Sequence, residues 1–164
     1  MVHQTREATV RLNLDGVFRL HPPADRIHDL MLQADAVLLP SHYEGLPNSV
    51  CEGMALGKPI LMSDVCDAGN LVENGINGFL FDPRSQDSIA DAIARFADLT
   101  SEERTRMGAA GRAKAEVLFD VNTVADRYLR VLEAAAAGQP LEIEHWPSRV
   151  PEAALCSPAG PRLV

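Results

Sequence analysis

The chain has 164 residues, 46% of them apolar and 5% aromatic, and a formal charge of -8 at neutral pH. That length and composition suit one domain with a core of ordinary size. An acidic chain poor in aromatic residues offers neither a basic face for a phosphate backbone nor rings for base stacking, so nucleic acid is not an expected partner.

Val10 to Leu14 reads as a strand ending at Asp15-Gly16. Pro22-Pro23 opens a helix with Ile27, Leu30 and Met31 on one face. Ala36 to Leu39 is a short apolar run, as in a strand buried on both faces, and Pro40 stops it. A loop leads to a helix over about Asn48 to Leu56, where Gly57 suits the left-handed cap and Pro59 cannot continue the turn. Ile60 to Met62 and Gly78 to Phe81 read as strands, the second following the turn signals Asn74-Gly75 and Asn77-Gly78. Ser85 or Asp87 caps a helix with Ile89, Ala92, Ile93 and Phe96 along one side. Thr100 and Glu103 have the spacing of a capping box for a helix to about Leu118. Asp120 caps a last helix carrying Val121, Val124, Tyr128, Val131 and Leu132, which runs out in alanines. These last two helices read as packing helices.

Strands separated by helices imply an α/β fold, a Rossmann-like parallel sheet of about four strands with flanking helices. Residues 1–137 are assigned to this domain and 138–164 to a Pro-rich tail, expected to be extended or disordered. The tail holds five of the eleven prolines and Trp146, the sole tryptophan, which needs a surface to cover it. No apolar run approaches a membrane span, and no secretory signal is readable around Arg6, Glu7 and Arg11. Cys51, Cys66 and Cys156 form no C-x-x-C pair and read as reduced thiols of a cytoplasmic protein. His3, His21, His28, His42 and His145 show no metal-ligand spacing, so no metal is expected.

The chemistry concentrates between Pro40 and Pro59. This stretch follows a buried strand and opens a helix, which is the carboxyl edge where open α/β sheets bind ligands. Pro47 fits the first helical position, leaving the N–H groups of Asn48, Ser49 and Val50 free as an anion site. Gly45 lets a ligand approach its backbone. Glu44 and Glu52 frame this site. Carboxylates beside phosphate repel it but accept hydrogen bonds from hydroxyls, so a nucleotide or nucleotide sugar satisfies every group. Equally, Glu44 can serve only the helix dipole and Glu52 can be a solvated helix residue. Asp67-Ala68-Gly69, after the next strand, is either a ligand contact or a plain connection. His42 is either a loop histidine or a contact for sugar or acceptor. Lys58 lies at the far end of the helix and reads as a partner of a C-terminal dipole.

The run LPSHYEGLPNSVCEGMALGKPI resembles the signature of the family 4, or group 1, glycosyltransferases, whose two glutamates are separated by seven residues, as Glu44 and Glu52 are. VRLNLDGV, IHDLMLQADAVLLPS and LVENGINGFLFDPRSQDSIADAIARF extend the resemblance over roughly residues 10 to 132. It implies the C-terminal, donor-binding half of a GT-B fold and retaining hexosyl transfer from a UDP-, GDP- or ADP-sugar to an unidentified acceptor, without a further cofactor. It implies that Glu44 is catalytic and contacts the donor sugar, and that Glu52 holds the ribose. The backbone at Gly45, Leu46, Pro47, Asn48 and Ser49 would face sugar and diphosphate, although Pro47 has no N–H. Val17, Phe18 and Arg19 would lie at the nucleobase. The family's Gly-Arg turn and its diphosphate-binding lysine have no counterpart before Lys58. The chain is therefore expected to be truncated on its N-terminal side and to need an N-terminal GT-B domain, through which any peripheral membrane association would run. Two rivals are a non-catalytic nucleotide-binding remnant or partner subunit, and a sugar-nucleotide epimerase on the same fold.

Overall fold

The computed structural model describes residues 2–14, 16–66 and 68–140. Three strands, β1 (Val37–Leu39), β2 (Ile60–Ser63) and β3 (Gly78–Phe81), form a parallel sheet in the order β1-β2-β3. Val37 pairs with Ile60 and Leu39 with Met62, while Ile60 pairs with Gly78 and Ser63 with Phe81. The central strand β2 is buried throughout. Its alternating residues supply two cores, as the pleat requires. Ile60 and Met62 pack with Val50, Met54, Leu71, Val72, Ala115 and Leu118. Leu61 packs with Phe79, Phe81, Ala92 and Met107.

The helices are α1 (Val2–Arg11), α2 (Ile27–Gln33), α3 (Asn48–Ala55), α4 (Ala68–Leu71), α5 (Gln86–Ala97), α6 (Ser101–Leu118) and α7 (Val121–Ala136). The starts of α5, α6 and α7 follow the expected caps. Ser85 accepts from the Ser88 amide at 3.1 Å. Thr100 and Glu103 form the reciprocal capping box, and Asp120 accepts from the Thr123 amide at 2.8 Å. Gly57 closes α3 at φ +69, a conformation that only glycine adopts freely. Helix α7 ends at Ala136, and past it Gly138 takes a positive φ while the Gln139 amide bonds back to Ala134. The remainder of the tail, with Trp146, lies outside the described residues.

The amino-terminal expectations need correction. Val10 and Arg11 belong to helix α1, and residues 12–14 turn away from it. The described sheet accordingly has three strands rather than about four. A strand needs a neighbour to take its amides. Here the amides are satisfied locally, Leu12 bonding to Ala8 and Leu14 to Thr9. Helix α2 begins at Ile27, not at the proline pair; a residue that precedes proline is disfavoured from the helical conformation. The four-residue α4 was not foreseen.

Candidate functional site at the carboxyl edge of the sheet

Strand β1 ends at Leu39 and β2 at Ser63, and the segments that follow both lie on the carboxyl edge. Residues 40–47 form the loop from β1 to α3. Glu44 is half-buried in it; Gly45, Leu46, His42 and Tyr43 are exposed. Pro47 is buried and is the N-cap of α3, not its first helical residue. Its carbonyl accepts the amides of Val50 at 3.0 Å and Cys51 at 3.1 Å. The expected trio of free amides therefore shrinks to Asn48 and Ser49, which make no backbone bond among the described residues. A Cβ built on Gly45 meets nothing within 4 Å, so the chain itself does not require glycine there.

Glu52 lies one turn into α3 and stays 39% exposed on its side chain. Its Oε2 is 3.4 Å from His28 Nε2 of α2. Cys51 beside it is partly buried, and burial pushes its thiol up to about 11. It is a protonated thiol at neutral pH, not a nucleophile. Met54, one turn further on, is fully buried and anchors the helix in the core.

Two cations of this region, Lys58 and Arg112, are committed elsewhere. Lys58 Nζ donates to the carbonyls of Leu32 and Ala34, each at 2.8 Å. It thus meets the negative end of α2, whereas its place in the sequence suggested α3. Arg112 closes α3 instead, donating to the Ala55 carbonyl at 2.6 Å and to Glu116 at 2.7 Å. Lys114 is buried, and that burial lowers its pKa.

Val17, Phe18 and Arg19 follow helix α1 and a turn rather than a strand. All three are exposed. The Phe18 amide bonds back to Leu14, and among the described residues no hydrogen bond or ion pair joins residues 17–19 to 44–52. On the second loop, Asp67 lies outside the described residues, Ala68 is buried at the start of α4 and Gly69 is exposed. No group of three or more potential metal ligands is gathered among the described residues. Sequence reasoning did not single out His28 or Arg112. Each acts on an element distant in the chain, so no local spacing announces it.

The profile of the family described as glycosyl transferases group 1 matches residues 7–114. The chain belongs to that family. This group 1 chain is 33% identical over 132 residues to the D-inositol 3-phosphate glycosyltransferase of Streptomyces griseus, covering 79% of itself and 28% of that protein. It is 34% identical over 110 residues to the glycogen synthase of Mycobacterium tuberculosis, covering 67% of itself and 26% of that protein. Among solved structures, the sucrose-phosphate synthase of Thermosynechococcus elongatus superimposes with a TM-score of 0.73 at 23% identity, over 84% of this chain and 35% of that one. The last likeness concerns the fold, and it makes the chain part of a GT-B architecture. The group 1 chain thus spans about a third or less of the proteins it matches.

Proposed function

We propose that the group 1 chain is the donor-binding part of a glycosyltransferase, with residues 1–137 forming that part and 138–164 a tail. The observation that carries this reading is the arrangement at α3. Two accessible carboxylates, Glu44 and Glu52, bracket the free amides of Asn48 and Ser49 at the carboxyl edge. The amides and the helix dipole suit a diphosphate. Glu52 accepts the ribose hydroxyls and Glu44 those of the donor sugar, with Gly45, Leu46 and Pro47 lining the approach. The donor is a UDP-, GDP- or ADP-sugar, and Phe18 and Arg19 face its base. Hexosyl transfer with retention to an acceptor then rests on stabilising the departing diphosphate, with Glu44 at the reacting sugar. No further cofactor is needed for these roles. Among the described residues no helix is long and apolar enough to cross a membrane. The free thiols of Cys51 and Cys66 suit a reducing compartment such as the cytoplasm.

One observation favours a second reading, a nucleotide-binding part that needs a companion polypeptide for catalysis. Lys58 and Arg112 are engaged at the C-terminal ends of α2 and α3, away from the amides of Asn48 and Ser49. A departing diphosphate needs cations that another polypeptide would bring. Calorimetric titration with UDP, GDP and ADP, on the wild type and on Glu52→Ala, tests the donor site common to both readings. Micromolar binding of one nucleotide, lost in the variant, supports it. Absence of binding by the folded wild type overturns it. Hexosyl transfer by the chain alone would decide for the first reading over the second.

A further inference from the structure

Helix α2 buries a single residue, Met31, so apolar packing holds it weakly. Polar contacts from the α3 region hold both of its ends. Lys58 takes the carbonyls of Leu32 and Ala34 at its C-terminal end. In its first turn, His28 meets Glu52 at 3.4 Å. Arg26, the neighbouring cation, is taken up by Asp29 at 2.8 Å. His28 is therefore the side chain of α2 that reaches the glutamate pair. It remains 58% exposed, and Glu52 is exposed as well, so a ligand has access to both.

We infer that His28 is a positioning residue for Glu52, an inference that rests on the donor-site reading above. A free glutamate samples many rotamers, and fixing one opposes ligand binding. An imidazole nitrogen 3.4 Å from Oε2 favours one arrangement before the ligand arrives. It leaves Oε1 as the acceptor for vicinal ribose hydroxyls. The lysine clamp at the other end of α2 sets the register that brings His28 to Glu52.

The test uses the 164-residue chain, titrated by calorimetry with UDP, GDP and ADP. Whichever binds is then compared with its 2′,3′-dideoxy counterpart and with inorganic pyrophosphate. His28→Ala is expected to weaken the nucleotide about fivefold, the effect of one lost polar contact. It leaves the dideoxy compound and pyrophosphate unchanged, and His28→Gln, which keeps an N–H donor, recovers most of the loss. Tighter nucleotide binding by His28→Ala would overturn the inference, since the imidazole would then compete with ribose for Glu52. Equal weakening of the dideoxy compound would overturn it too, since His28 would then act on the fold alone. If Glu52→Ala loses the nucleotide while His28→Ala keeps full affinity, the inference falls and the donor site stands. If the folded wild type binds none of the three nucleotides, both fall.

Discussion

Residues 48–118 and residues 2–33 are governed by different forces. The first region holds β2, β3 and α3 to α6, and buried side chains from all of them fill the two cores. The second holds α1 and α2, and Met31 is its one buried hydrophobic residue among those described. In the first region each element is held by contacts distant in sequence. In the second, hydrogen bonds within four or five residues hold α1, and polar contacts from Lys58 and Glu52 hold the ends of α2. The glycines divide into packed and open ones, Gly69 and Gly75 of the first region being open as well. A Cβ at Gly78 would meet the Ile60 carbonyl, and one at Gly108 the Gly57 carbonyl, whereas Gly16 and Gly45 stand in open space.

The sharpest test of that contrast is Gly78→Ala. The new methyl has backbone on the central strand in its way, so β2 and β3 must separate. Urea denaturation is expected to show a loss of about 3 kcal/mol or more. Gly45→Ala is expected to leave stability within about 0.5 kcal/mol. Equal losses in the two variants would erase the difference between a packed glycine and an open one.

Met54→Ala comes next. Met54 is fully buried beneath the candidate site, and its truncation is expected to cost about 2–5 kcal/mol. Leu12→Ala, at an exposed position, should lie within about 0.5 kcal/mol in the same assay. A large effect at Leu12 would show that the amino-terminal region packs in solution.

The third effect is smaller and tied to pH. The Thr100 amide and hydroxyl hold the Glu103 carboxyl below its usual range, and the Thr123 amide and hydroxyl do the same for Asp120. A carboxyl whose folded pKa lies below its unfolded one stabilises the fold above the unfolded value. That contribution is present at neutral pH, begins to fade near the ordinary carboxylate values of 4.5 and 3.8, and is gone below the folded ones. Chemical denaturation from pH 7 down to pH 3 should therefore show falling stability. Thr100→Ala should weaken the fold by about 1 kcal/mol at pH 7 and flatten the Glu103 part of that fall. An unchanged slope would mean that the capping box does not persist in solution.

Much of the fold was legible because its signals are local. Asn48 begins α3, Gly78–Phe81 is a strand, and Ser85, Thr100 and Asp120 cap helices, as short-range hydrogen bonding and backbone geometry demand. The segment from Glu44 to Glu52 was legible as well, because a strand followed by a helix fixes which sheet edge the segment occupies, although β1 is an edge strand with Leu38 exposed rather than a strand buried on both faces.

What the local pattern misjudged was Val10–Leu14. Alternating apolar residues describe a strand only where a neighbour completes its hydrogen bonds, and α1 completes its own. The tertiary structure alone decided where the cations go and what touches Glu52. Lys58 crosses to α2, Arg112 closes α3, and His28 meets a glutamate 24 positions away. Sequence sets periodicity, caps and turns because these act within one or two turns of chain. It leaves such pairings open, because they depend on how separate elements come to rest against a shared core.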